Sequence, residues 1–252
     1  MNLFLGFLYK EIKILASYRF YFLLKLSSLI FQIIIFYYLC KLISPEYFSF
    51  LFIGLIFSKI LHYVLTSLIE ATKQEQYWGS FEILLMLPYK EFFIFFYMYL
   101  SKIFFLFFEI LVYILLGKIF GISFTILQIS FIYLYSIFLI AICLGYTILF
   151  LASTIFIKKS DSVGWFLTSL VEIFSGVYFS TDLLPKELNF ISKILPTTYL
   201  LKFMREFIGQ KKLNFNLLIY PTILGILILP ASIIFLNYVI KKSLIRGNLS
   251  SY

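Results

Sequence analysis

The sequence has 252 residues, of which 62% are hydrophobic and only 13% are charged, and its mean hydropathy is +1.01. A water-soluble chain of this length cannot bury that much apolar surface in one core, so the composition excludes an ordinary soluble protein. The net charge of +9 comes from lysines and arginines that flank the apolar runs. Anchoring at membrane interfaces therefore explains this charge better than nucleic-acid binding does.

Residues 1–19 are predicted to form an amphipathic helix that lies in the membrane interface. Its apolar side would carry Phe4, Leu8, Ile12 and Leu15. Its polar side would carry Lys10, Glu11 and Lys13.

Six apolar runs follow, each long enough to cross a hydrocarbon layer roughly 30 Å thick. They predict spans at residues 20–41, 50–71, 92–116, 133–157, 163–179 and 217–240. The fourth span lies in a longer apolar run, 122–157, which we expect to begin outside the hydrocarbon. Lys25, near the start of the first span, is expected to reach the nearby headgroups.

Two polar or mixed segments separate these spans. Residues 72–91 form the loop between the second and third spans, and residues 180–216 are interpreted as short re-entrant helices before the last span. The fold class is therefore an all-α membrane protein, with residues 1–252 forming a single transmembrane domain.

An even number of spans places both termini on one side, and the positive-inside rule favours the cytoplasm for that side. The basic residues on this side would be Lys10, Lys13, Arg19, Lys73, Lys90, Lys158, Lys159, Lys241, Lys242 and Arg246. The six basic residues of segment 180–216 would lie outside and weaken the bias. We expect a multi-pass protein of the cell membrane with both termini in the cytoplasm.

Sequence motifs for catalysis are missing. His62 is the only histidine, and Cys40 and Cys143 lie in separate apolar runs, so no metal-binding spacing exists. Neither a Gly-x-x-x-x-Gly-Lys-Ser/Thr phosphate loop nor a Gly-x-Ser-x-Gly motif is present. No catalytic residue is assigned, and any ATP that this protein uses must bind another chain.

The loop 72–91 contains a short predicted helix between Gly79 and Pro88. Ser80 suits the N-cap position, and Glu82 in the first turn suits the positive end of a helix. Phe81, Leu84, Leu85 and Pro88 would form its apolar face. Glu75 and Glu82 would stay accessible to cationic partners. The alternative is that this helix is only an interfacial connector.

At this point the sequence resembles a known family. Gly79-Ser80-Phe81-Glu82-Ile83-Leu84-Leu85-Met86-Leu87-Pro88 is similar to the Gly-(Thr/Ser)-Leu-Glu-x-Leu-Leu-x-x-Pro segment of type-2 ABC-transporter permeases. Phe81 replaces the usual leucine. A second likeness joins Phe174-Ser175-Gly176-Val177-Tyr178-Phe179, Leu184-Pro185, Ile194-Leu195-Pro196-Thr197-Thr198-Tyr199 and Arg205. Ser180 stands where the family usually has proline, which affects the expected local bend.

The resemblance implies a permease that pairs with a second, identical or related permease chain and with two cytoplasmic ATPase subunits. ATP and magnesium would be bound by those ATPases, so this chain itself would need no cofactor. The coupling helix for the ATPase would use Glu75, Gly79, Ser80, Glu82, Leu85 and Pro88. A re-entrant segment closing the exit would include Gly176, Pro185, Pro196, Tyr199 and Arg205.

Ionisable residues inside the spans are costly unless they are paired or functional. Lys59 and Glu109 lie at similar depths in consecutive antiparallel spans, so we predict that they pair, with Glu172 as a competing partner. Glu70 and Lys102 could form a second pair. These residues either hold the helices in register or line a substrate pathway, and Lys59, Glu109 and Glu172 are the pathway candidates. His62 is interpreted as a packing residue.

The function predicted from the sequence is export of a lipidic, glycan or drug-like molecule, driven by a separate ATPase. One alternative is a secondary transporter or channel that needs no ATPase. An intramembrane enzyme is disfavoured by the single histidine and scattered carboxylates. A third alternative keeps the family but assigns it to signalling or biogenesis.

Overall fold

A computed structural model describes residues 3–157 and 160–245 of the chain. Predictions that concern Lys158, Lys159 and Arg246 lie outside these residues. The helices, in chain order, are α1 (Leu3–Ser17), α2 (Arg19–Ile43), α3 (Pro45–Tyr77), α4 (Phe81–Leu85), α5 (Glu91–Ile119), α6 (Ile126–Ile157), α7 (Ser160–Phe174), α8 (Lys186–Ile194), α9 (Pro196–Gln210) and α10 (Asn216–Ile245). A single 3₁₀ turn, Thr181–Leu183, lies between α7 and α8.

Five helices of the described ranges are long and apolar enough to cross a membrane. The apolar segments are Leu23–Ile43, Tyr47–Tyr77, Glu91–Ile119, Ile126–Phe156 and Asn216–Ile245. They lie in α2, α3, α5, α6 and α10, which correspond to five of the six predicted spans. The chain is therefore a multi-pass helical membrane protein.

The predicted fifth span, 163–179, is wrong in its extent because α7 ends at Phe174. Its 15 residues reach only about 22 Å, which is short of a full hydrocarbon layer. Gly176 adopts a φ of 82°, and the amide of Val177 donates to the carbonyl of Glu172. This left-handed turn ends the helix, as glycine commonly does after a C-terminus.

Helix α3 lies at the centre of the bundle. Within an apolar stretch of 18 residues in each helix, 67% of the residues of α3 are buried, compared with 17% for α2, which lies at the periphery. Helix α3 contacts α2, α5, α6, α7 and α9, while α10 packs along α6. Small residues allow the close approach of α6 and α10, since Gly145 faces the backbone of Leu229 and Gly225 faces that of Ile142.

The helices define two ends of the bundle. We call the end where α3 stops and α5 starts the α4 end, and the opposite one the far end. Helix α1 lies at the α4 end and packs against α5. At the far end, α9 enters the bundle and buries Leu200, Leu201 and Met204. The hydroxyl of Tyr135 in α6 donates to the carbonyl of Leu200 over 2.7 Å, which fixes the depth of α9.

Candidate functional site

The loop after α3 turns sharply into α4 through Gly79, whose φ is 70°. Glycine adopts this left-handed conformation without the steric cost that a Cβ imposes. Ser80 occupies the N-cap position predicted for it, but its side chain does not cap the helix. Its hydroxyl instead donates to Oε2 of Glu75 over 2.5 Å, which ties the start of α4 to the last turns of α3.

Glu75 was predicted to be accessible to a cationic partner, and this prediction is wrong because Glu75 is only 3% exposed. Its carboxylate forms an ion pair with Lys10 of α1. Lys10 also lies over the ring of Trp78, 5.0 Å from its centroid. Burial lowers the pKa of Lys10 to about 8, and the neighbouring charge of Glu11 opposes this shift. Glu75 therefore joins α1, α3 and α4.

Most of the apolar face predicted for α4 points into the helix bundle. Phe81 is 2% exposed and its ring lies 6.3 Å from that of Phe95, so it belongs to the core. Leu84 and Leu85 are half-buried and pack against the same core. A five-residue helix cannot show the same face to the bundle and to a partner, so its anchoring residues are not its contact residues.

The outward side of this loop carries other residues. Ile83 is 66% exposed, Met86 is 80% exposed and Tyr77 is 87% exposed, and Glu82 is exposed beside them. Pro88 is also exposed. We call Tyr77, Glu82, Ile83 and Met86 the outer α4 surface.

A charge cluster lies inside the bundle between α2, α3 and α5. Nζ of Lys59 lies 2.9 Å from Oε2 of Glu109, which confirms the predicted pair. Nζ of Lys25 lies 2.6 Å from the other carboxylate oxygen of Glu109. The prediction that Lys25 reaches for headgroups is wrong, because an intramembrane carboxylate is a stronger partner.

Glu172 does not compete for Lys59. The hydroxyl of Ser58 donates to its Oε1 over 2.6 Å, and the hydroxyl of Tyr178 donates to its Oε2 over 2.8 Å. These two bonds join α7 to the central helix and to the turn that follows α7. Both carboxylate oxygens of Glu172 therefore have neutral donors, and Lys59 turns to Glu109.

Lys102 forms an ion pair with Glu11 of α1 over 2.6 Å, and not with Glu70 as predicted. Its ammonium group also donates to Oε1 of Gln74 over 3.4 Å. Glu11 was placed with Lys10 and Lys13 on the polar side of the first helix, and the structure buries it, with only 7% of the residue exposed. Ile12, assigned to the apolar side, is 48% exposed. Helix α1 thus turns a carboxylate and not only apolar groups toward the bundle.

A cavity of about 700 Å³ connects these charged groups. Its wall is formed by one face each of α1, α3 and α5, together with Lys25 of α2. The groups that line it include Lys59, His62, Glu70 and Glu109. His62, interpreted from the sequence as a packing residue, therefore lines a cavity.

At the far end, Arg205 holds the turn after α7. Its guanidinium donates to the carbonyls of Gly176 and Val177 over 2.8 and 3.0 Å, and it stacks on the ring of Phe50 at 3.7 Å. Gly54 of α3 faces the same turn, where a Cβ would collide with the carbonyl of Val177. Three distant parts of the sequence, namely α3, the turn after α7 and α9, thus meet at one point.

The other far-end residues shape the connecting helices. Pro185 is the N-cap residue of α8 and Pro196 begins α9, positions where a missing amide hydrogen costs nothing. The hydroxyl of Tyr199 donates to the carbonyl of Lys193 over 2.9 Å. The structure thus brings Gly176 and Arg205 together, whereas Pro185, Pro196 and Tyr199 serve the local backbone.

Sequence reasoning missed several members of these sites, above all Lys10, Glu11, Ser58 and Tyr178. Each acts on a partner in another element, up to 114 residues away in the case of Ser58 and Glu172. A rule that every membrane-embedded carboxylate needs a donor would have directed attention to these residues. It could not have chosen among the many hydroxyl and ammonium groups available.

Comparison with known proteins gives one family and no curated relative. A family model described as ABC-2 type transporter matches residues 2–208, which is most of the chain. No curated protein matches the sequence. The matched range includes the outer α4 surface, the charge cluster and the far-end turn.

Proposed function

Because the chain belongs to the ABC-2 type transporter family, we propose that it is the permease subunit of an ATP-driven exporter and works with separate ATPase subunits. The observation that carries this proposal is the outer α4 surface. Ile83 and Met86 expose their apolar side chains on a loop that lies outside the helix bundle. Exposed apolar groups of this kind are typical of protein interaction sites.

The outer α4 surface is also mechanically suited to coupling. Phe81 anchors α4 in the core, and Ser80 and Glu75 tie it to α3. A push on Ile83 or Met86 would therefore be transmitted to the central helix of the bundle. A coupling element needs such a rigid link. The ATPase can shift the permease between two states only through contacts that differ between those two states of the permease.

In this proposal the α4 end faces the cytoplasm and both termini lie there. Helix α7, continued by the segment to α9, completes a sixth crossing, and residues 1–252 form one transmembrane domain. Two ATPase subunits dock beneath a pair of permease chains, which are identical or related. ATP and magnesium belong to the ATPases, and this chain contributes no catalytic residue.

The segment from the turn after α7 to α9 is proposed to close the exit on the outer side. Arg205 joins α9 to the turn after α7, so that a movement of α7 against α3 would also move α9. The substrate is a lipidic, glycan or drug-like molecule moved out of the cytoplasm. A secondary transporter or channel remains the alternative function, and it would have no use for an exposed apolar loop helix.

The test is co-purification with an ATPase co-expressed from the same genome. Ile83→Asp and Met86→Asp should each remove the ATPase while the permease still inserts and elutes as a monodisperse species. Leu183→Asp is the matched control, since Leu183 is 75% exposed at the far end. Retention of the ATPase by both α4 variants would overturn the proposed docking surface, and ATP-independent transport by the chain alone would overturn the function.

A further inference from the structure

The cavity beside α3 is lined by a polar stripe that runs along half of that helix. Lys59, His62, Thr66, Glu70 and Lys73 follow one another at intervals of three or four residues on one helix face. The stripe ends at Tyr77, 18 residues beyond Lys59, which corresponds to about 27 Å along the axis. The cavity therefore reaches from the α4 end to the charge cluster.

Hydrocarbon cannot solvate such a stripe, so these groups must face protein, water or a polar ligand. Neighbouring helices supply only part of the contacts. Ser67 also lines the cavity and is only 3% exposed, and its buried hydroxyl has no hydrogen-bond partner among the described residues. A buried hydroxyl without a partner costs free energy, so the protein neighbours do not satisfy every polar group on this part of α3.

The charges that line the cavity do not cancel. They are four lysines (Lys25, Lys59, Lys73 and Lys102) and three glutamates (Glu11, Glu70 and Glu109). Glu11 neutralises Lys102, but Lys25 and Lys59 share the single carboxylate of Glu109. Both carboxylate oxygens of Glu172, the other nearby carboxylate, accept hydrogen bonds from the hydroxyls of Ser58 and Tyr178. One positive charge is left over where Lys25, Lys59 and Glu109 meet, and we call this part of the cavity its inner end.

The cavity walls are partly apolar. Phe105 and Phe108 of α5 and Ile14 and Leu15 of α1 line it together with the charged groups. A volume of about 700 Å³ is typical of sites for small organic ligands. The cavity thus combines an anion-attracting inner end with walls that suit apolar chains or rings.

We propose that this cavity binds an amphiphile through an anionic headgroup, a phosphate or a carboxylate, which pairs with Lys25 and Lys59. This inference rests on the proposed function and names its substrate class. Uncharged lipids and cationic drugs are disfavoured, because neither supplies the charge that the inner end lacks. The ligand enters from the α4 end, along the stripe.

The test is native mass spectrometry of the purified full chain. The probes are phosphatidylglycerol, phosphatidylcholine with the same acyl chains, and free glycerol 3-phosphate. The expected result is retention of phosphatidylglycerol in preference to phosphatidylcholine, with glycerol 3-phosphate competing only at much higher concentration. Equal retention of the two lipids would overturn the anionic headgroup, and equal competition by glycerol 3-phosphate would overturn the role of the apolar walls.

Variants separate ligand binding from a purely structural ion pair. Lys59→Gln should lower phosphatidylglycerol affinity about tenfold, as expected for the loss of one charge-assisted contact. Lys41→Gln, which removes the same charge from an exposed site on α2, should leave it unchanged. Glu109→Gln should preserve or raise the affinity, because it removes the competing carboxylate.

A structural pair predicts the opposite, namely that Glu109→Gln and Lys59→Gln reduce the affinity equally, and this outcome would overturn the inference. Should Lys59→Gln fail to fold, Lys25→Gln replaces it, since the side chain of Lys25 is 37% exposed. The readout needs no ATPase. A chain that co-purifies with its ATPase but shows no preference for phosphatidylglycerol would refute the substrate class alone.

Discussion

Nζ of Lys102 in α5 lies 2.6 Å from Oε2 of Glu11 in α1, so the amphipathic N-terminal helix is held by a largely buried ion pair. The two side chains are only 17% and 9% exposed, respectively. The second contact of α1, between Lys10 and Glu75, is one residue away. Helix α1 is thus bound both to α5 and to the end of α3.

Removal of this contact should loosen α1. Glu11→Gln leaves Lys102 with a neutral partner, and loss of a charge-assisted bond of this type costs about 1–3 kcal/mol. The expected result is faster tryptic cleavage after Lys13 in the purified protein. Glu187→Gln, a change at an exposed position of α8, should leave the rate unchanged. An unaltered rate in Glu11→Gln would show that apolar packing alone holds α1.

Glu109 should contribute more to the stability of the fold than either of its lysine partners does. Glu109→Met leaves two cations without a counter-charge, whereas after Lys59→Met the carboxylate still has Lys25. We expect a loss of about 3–5 kcal/mol for Glu109→Met and a clearly smaller loss for Lys59→Met, measured as thermal unfolding in detergent. Lys25→Met should cost least, about 1 kcal/mol or less, because its side chain is 37% exposed.

The double variant Lys59→Met, Glu109→Met completes this series. It removes the pair as a unit, so its loss should be smaller than the sum of the two single losses. A loss equal to that sum would mean that the two groups do not interact.

The long helices could be predicted from the sequence because each is specified by its own residues. A run such as 92–116 has to cross the hydrocarbon wherever its neighbours lie, and α5 extends it by only a few residues. The Lys59–Glu109 pair was predictable for the same reason, since the depth of a residue follows from its position within its own span. Helix α7 was misjudged because apolar residues continue past its end, where only Gly176 marks the turn.

The loop that carries α4 was less predictable, because the sequence does not show which side of a short helix faces the bundle. Phe81 and Ile83 are both large and apolar, yet one is 2% and the other 66% exposed. Glu75 and Glu82 are both carboxylates on the same loop, and only one is buried. These differences depend on distant parts of the sequence: Lys10 of α1 pairs with Glu75, and Phe95 of α5 packs against Phe81.

Glu75 should control the order of the loop that carries α4. Glu75→Gln removes the charge that pairs with Lys10 and weakens the acceptor of the Ser80 hydroxyl. The amides of residues 79–87 should therefore exchange with solvent faster by about tenfold, as a local loss of ~1.4 kcal/mol implies. Glu82→Gln removes the same charge from an exposed position of the same loop and should not change the exchange. Equal protection in the two variants would exclude Glu75 as the anchor.

The contact between α3 and the far-end turn should be sensitive to a single methyl group. Gly54→Ala would press a Cβ against the carbonyl of Val177 and the guanidinium of Arg205, and overpacking of this kind costs about 1–3 kcal/mol. Gly209→Ala is the matched control, because nothing lies within 4 Å of its Cβ position in α9. It should leave stability unchanged or raise it by up to about 1 kcal/mol. Thermal unfolding midpoints of the two variants compare them directly, and a midpoint for Gly54→Ala at or above that for Gly209→Ala would mean that α3 does not press against this turn.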